Sequence, residues 1–154
     1  KFNYDQKLFG VFELKNLAPT HPIIGELDDV FLCPQSRHAG IPDEAMEEAQ
    51  NDGRLNLLAY GKEAGYSIFS TYDERFIAHT GHPEYNATRL ADEAKRDSAN
   101  PEVPPPVNFN FLEPLNRWRS HRNTFFAQWV SYCYLKISTH DMLGEKYFID
   151  STED

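Results

Sequence analysis

Cysteine is scarce in this chain: Cys33 and Cys133 are the only two, far apart in sequence. Such a pair gives neither a disulfide framework nor metal-ligand spacing, and it fits a reducing compartment. Basic charge is also in short supply. Fifteen Lys and Arg face 24 Asp and Glu, a net charge of −9. No basic stripe is available for phosphate backbones, which argues against a nucleic-acid partner. A CoA ester, which needs only a local basic spot, is not. No apolar run approaches the roughly 20 residues of a membrane span, and no signal-peptide pattern is visible. A cytoplasmic location is therefore expected, with no membrane partner. No internal repeat appears. Apolar residues make up 40% of the 154 and aromatics 14%, enough to bury a core within one domain.

The pattern of elements is mixed. Residues 8–14 read as a strand containing Gly10, and Asn16 to Gly25, with two prolines, as a loop. Val30 to Cys33 is a short apolar run that Pro34 should end. Pro42 to Ala49 reads as a short helix, its acidic first turn complementing the helix dipole and its acidic run forming a solvated face. Leu55–Tyr60 and Tyr66–Thr71 read as strands around the turn Lys62–Gly65, and a third strand covers Arg75–His79. Asn86–Arg96 reads as a helix. Asn100–Asn110 carries four prolines and reads as an irregular connector within one domain. Residues 117–138 give the longest helical signal. Phe125, Phe126, Trp129, Val130, Cys133 and Tyr134 recur at helical spacing and are expected to pack in the core. The tail 150–154 is expected to fray.

The stretch Thr80-Gly81-His82-Pro83-Glu84-Tyr85 sits between the last strand and the following helix. A His and a Glu two residues apart suit a general base and the carboxylate that fixes its tautomer. The plain alternative is a surface turn in which Pro83 stiffens a strand exit. Neither cysteine is placed as a nucleophile for the pair. Cys33 lies in an apolar run, where a thiol behaves as a small hydrophobe, and Cys133 lies in the helical stripe. His79 and His82 are expected to face different ways, and no metal site is expected. His21, His38, His121 and His140 show no partner pattern.

Several blocks, in order, resemble the C-terminal half of the homoserine O-acyltransferases, the succinyl- or acetyl-transferring family of methionine biosynthesis. They are Lys7–Glu13, Leu27–Arg37 and Thr80–Tyr85, then the pair Arg96-Asp97, then Trp118–His121 and Asn123–Val130. The resemblance implies an α/β, three-layer, flavodoxin-like sheet of the class I glutamine-amidotransferase type, with residues 1–154 forming its C-terminal half without an internal boundary. Alone, that half would expose a sheet edge.

The same resemblance implies roles. His82 is the base and Glu84 its orienter, while Lys7, Ser36 and Arg96 contact the amino-acid substrate. Arg96 has the planar fork that suits an α-carboxylate. Alternatives remain at three positions: a solvated lysine for Lys7, a loop hydroxyl for Ser36, and a surface arginine paired with Asp92 or Asp97 for Arg96. The implied co-substrates are acyl-CoA and homoserine, with no resident cofactor. The implied partners are an N-terminal half carrying the nucleophilic Cys upstream of Lys7, and a second copy in a homodimer. Three positions depart from the family pattern: Leu14, Gln35 and Asn86. The first two are expected to reshape the amino-acid pocket, which leaves room for a serine acceptor. A glutamine amidotransferase subunit and a non-catalytic binding fragment stay as competing functions. Ammonia release from glutamine would separate the first of these.

Overall fold

A computed structural model describes residues 2–142. The expected fraying at 150–154 and the surroundings of His140 lie outside the described residues and side chains. Five strands and three helices follow in the order β1 (Phe2–Asn16), β2 (Val30–Gly40), α1 (Asp43–Asn51), β3 (Leu55–Gly61), β4 (Gly65–Thr71), β5 (Ile77–His79), α2 (Ala87–Asp97) and α3 (Arg119–Met142). The strands form one sheet in the order β2-β1-β3-β4-β5, antiparallel at every pairing. The sheet is curled. Beyond β5 the chain returns to the free edge of β2, where the His82 amide donates to the Pro34 carbonyl at 2.8 Å.

Here the structure corrects the strand reading. Pro34 does not end β2, which runs on to Gly40 with Pro34 opposite Val11. An edge strand tolerates proline because its missing N–H would face outward. Ser36 is therefore a strand residue, not a loop hydroxyl. β5 is also shorter than expected and begins at Ile77.

Two apolar clusters flank the sheet. Inside the curl, Leu14, Ile23, Ile24, Leu27, Phe31, Cys33, Leu58, Ile68 and Phe125 pack together. On the other face Phe9 and Val11 meet Leu90 and Ala94 of α2 and the indole of Trp118. Alternation along β1 explains the split, because residues two apart share a face. Lys7 falls on the face of Phe9. Ser36 is paired with Phe9 and shares that face, so α2 covers Lys7 and Ser36 together.

The proline-rich connector is tied down. Val107 exchanges backbone hydrogen bonds with Phe9 and Val11 at 2.8 and 2.9 Å. Gly10, at φ +136°, lies directly beneath; a Cβ there would collide with the Val107 backbone.

Helix α2 opens on Asn86, whose side-chain oxygen accepts from the Arg89 amide at 2.7 Å. An aspartate would make the same cap, so this departure from the family pattern leaves the helix start intact. Helix α3 departs from expectation. Phe125 is buried, yet Val130 and Tyr134 are 68% and 70% exposed, Trp129 keeps about a third of its surface open at 38%, and Cys133 is exposed too. The stripe is thus core packing only at its start.

Candidate active site

The loop after β5 is held from below. Gly81 is buried against β2, and a Cβ on it would meet Gln35 Nε2 at 2.6 Å, Cys33 Sγ at 2.7 Å and Pro34 O at 2.9 Å. Only a residue without a side chain lets the next residue reach the Pro34 carbonyl. Gly81→Ala is expected to lift the loop, break the His82–Pro34 bond and cost roughly 1–3 kcal/mol, the usual scale of overpacking. Urea unfolding and hydrogen exchange at the His82 amide measure both effects. An alanine variant of unchanged stability and protection would mean that the loop floor is looser than this geometry.

His82 Nδ1 lies 2.8 Å from Glu84 Oε1, and its ring stacks on Tyr85 with centroids 4.4 Å apart and planes 19° apart. With Nδ1 turned to the carboxylate, Nε2 is the nitrogen left to exchange protons with a substrate. The pair is open: the Glu84 side chain is 54% exposed and that of His82 33%.

Beside it, α2 and the sheet enclose a four-charge cluster. Lys7 Nζ, on a side chain only 5% exposed, donates to Glu93 Oε1 at 2.8 Å and to Asp97 Oδ2 at 2.7 Å. This excludes the solvated alternative for Lys7. Ser36 Oγ donates to the same Glu93 oxygen at 2.5 Å. Arg96 Nε reaches Asp97 Oδ1 at 2.7 Å and Arg96 Nη2 reaches Glu93 at 3.4 Å. Burial alone would push the Glu93 carboxyl up, but hydrogen bonds from Lys7 and Ser36 outweigh it and hold it below the usual range. Asp97 is held down at about 2, mainly by the Arg96 hydrogen bond. Lys7 and Ser36 are thus turned toward Glu93, while the Arg96 guanidinium stands at the surface above them, 62% exposed.

Asp97 was expected as a partner of Arg96, and the structure makes that pair; Glu93, which joins Lys7, Ser36 and Arg96, was not singled out by sequence. One signal was available. Leu90, Ala91 and Ala94 form the buried face of α2, and Glu93 lies among them. A carboxylate on the apolar face of a helix requires a buried partner.

Other expectations meet different fates. Leu14 lies in the interior cluster, and Gln35 accepts from Arg37 Nε at 3.0 Å on the inner face. Both side chains thus lie on the sheet face opposite the one that carries Lys7 and Ser36, and Gln35 packs under Gly81 of the His82 loop. His121 and His21 do have partners. His121 Nδ1 accepts from the Leu32 amide and Nε2 faces Asp28, while His21 Nδ1 accepts from the Ile23 amide and Nε2 lies 3.3 Å from Glu74.

Cys33 Sγ lies 3.8 Å from His79 Nε2, a second Cys–His neighbourhood. Its chemistry is blocked. Burial pushes the thiol far up. Desolvation holds His79 neutral with a value near 3. His79 Nδ1 accepts from the Gly81 amide at 3.1 Å, so the ring proton sits on Nε2 and cannot receive another from sulfur. Among the described residues no His, Cys, Asp and Glu group is arranged to hold a metal, and no helix is long and apolar enough to cross a membrane.

A curled sheet with outer helices, and a His–Glu pair at the end of a strand, define an amidotransferase-like α/β protein. A solved glutamine amidotransferase from Thermotoga maritima shares this fold, with a TM-score of 0.52 and 11% identity, over 82% of this chain and 49% of that one. The sequence goes further. The profile of the homoserine O-succinyltransferase family matches residues 1–139, and the chain belongs to that family. It is 35% identical to the homoserine O-succinyltransferase of Edwardsiella ictaluri over 149 residues, and equally so to that of Yersinia pestis (strain Pestoides F) over 148. In each case 92% of this chain is covered but 47% of the relative, so the chain spans about half the length of these proteins.

Proposed function

We propose that this chain supplies the general base and the amino-acid pocket of a homoserine O-acyltransferase whose nucleophilic cysteine lies outside residues 1–154. One observation carries the reading. A base with a free Nε2 stands beside a preorganised charge cluster whose arginine faces outward, within a member of this family.

In the proposed first half-reaction, His82 takes the proton of the external thiol. The thiolate attacks the acyl-CoA thioester, the C–S bond to CoA breaks, and His82 returns the proton to the departing CoA sulfur. In the second, His82 removes the homoserine hydroxyl proton. The alkoxide attacks the acyl-enzyme, and the thiol is restored by the same imidazolium. Glu84 holds Nδ1 throughout. Arg96 receives the α-carboxylate with donors not committed to Asp97, and Lys7 and Ser36 form the floor through Glu93. No resident cofactor is required, since the CoA ester is the donor. Succinyl- and acetyl-CoA both remain candidate donors, and a cytoplasmic setting suits a CoA-dependent step.

The test combines this chain with the nucleophile-bearing half of the Edwardsiella relative. Free CoA is followed with each acyl-CoA and with homoserine or serine. CoA release is expected only from the combination. Turnover by this chain alone that Cys33→Ser abolishes would overturn the assignment. Ammonia release from glutamine would move it to the amidotransferases.

A further inference from the structure

The Glu84 contact is too exposed to fix the imidazole by itself. Exposed ion pairs contribute little, and the side-chain entropy of holding them works against order. A ring held so weakly at one nitrogen would rotate about its own side-chain bonds. His82 has a second restraint of a different kind, the Tyr85 ring stacked on its face at 4.4 Å and 19°. Aromatic stacking adds to what area burial gives, and unlike the carboxylate contact it does not depend on an exposed charge.

Tyr85 is itself anchored on several sides. Its amide donates to the His82 carbonyl at 3.1 Å, closing a turn that brings the two rings together. The buried indole of Trp118 donates to the Tyr85 carbonyl at 2.6 Å. The Arg89 guanidinium lies 5.6 Å from the Tyr85 ring centroid. Burial first, and the Glu93 charge second, raise its hydroxyl above the ordinary range.

We infer that Tyr85 is a positioning residue for His82: its ring backs the imidazole in the orientation that leaves Nε2 free, and it does so from an anchorage on Trp118 and α2. The inference deepens the reading of His82 as the base, but its test needs no turnover. In the 154-residue chain, nitrogen-15 spectra of the histidine side chains report which ring nitrogen carries the proton. Proton spectra report the ring current of a stacked neighbour. Wild type is expected to show the Nδ1-protonated tautomer as dominant, upfield-shifted His82 ring protons, and nuclear Overhauser contacts from them to the Tyr85 ring. Tyr85→Phe should keep all three. Tyr85→Leu should remove the upfield shift and leave a mixture of tautomers, and Tyr85→Trp, which restores a stacking face, should recover a single tautomer. If Tyr85→Leu fails to fold, the wild-type contacts and the phenylalanine and tryptophan variants decide the matter. A leucine variant with the wild-type tautomer and ring shifts, or a wild type without the ring-to-ring contacts, overturns the inference. A failed acyl-transfer assay with these signatures intact would instead count against the proposed reaction.

Discussion

Lys7→Met is expected to destabilise the chain by about 3–5 kcal/mol at neutral pH, because it takes the buried cation from Glu93 and Asp97 and leaves Glu93 only the exposed Arg96 guanidinium at 3.4 Å. The Lys7 side chain is 5% exposed and its partners Glu93 and Asp97 are 8% and 14% exposed, so water cannot replace the ammonium without opening α2. The pH dependence identifies the cause. In the wild type both carboxyls titrate below their ordinary values, Asp97 at about 2. Their contribution is therefore complete above the unfolded carboxylate range of about 4 and is lost as pH falls through the folded values. In the variant the sign reverses: burial without the Lys7 ammonium raises Glu93, so protonation relieves the strain. Urea unfolding of the two proteins should show a gap that is wide at neutral pH and narrows toward about pH 3. A gap below about 1 kcal/mol, the range of exposed pairs, would mean that α2 does not seal the cluster.

His82→Ala, in the chain combined with a nucleophile-bearing half, should lower both half-reactions by roughly 10²–10⁴, the usual contribution of a positioned base. One imidazole serves both steps, so acyl-enzyme formation and its transfer to homoserine should fall together. Glu84→Gln should act mostly on kcat and more mildly. Its side chain is 54% exposed, and a contact worth up to about 1 kcal/mol translates to somewhat less than tenfold. Burst and steady-state kinetics with each variant separate the steps. Near-normal turnover in both variants would return His-Pro-Glu to a proline-stiffened strand exit.

Much of the fold was legible because local physics dominates it. The cap at Asn86, the acidic start of α1 and the strands β3 and β4 all lie within a residue or two of expectation. The His82–Glu84 pair was legible because its two members are neighbours in sequence. What escaped depends on partners distant in sequence. Proline at position 34 reads as a strand end unless the strand is known to be an edge. The apolar stripe of α3 reads as core, because periodicity specifies a helix face but not what covers it; Val130 and Tyr134 are open on this chain. Glu93 reads as one more charge on a helix of mixed charge until Lys7 and Ser36 are placed opposite it.

That placement also has a schedule. Lys7 and Glu93 are 86 residues apart in the chain. At a synthesis rate of about 5–20 residues per second, roughly 4–17 s separate their emergence from the ribosome. The β1–β2 hairpin closes over the connection 17–29, a local contact that can form within that interval. During it, the face of Phe9 and Val11 has no helix over it, and the Lys7 ammonium stands in water at its margin. A charge flanking an apolar strand opposes intermolecular pairing. The same ammonium thus guards the nascent hairpin first, and is dehydrated into the pocket floor only when α2 arrives.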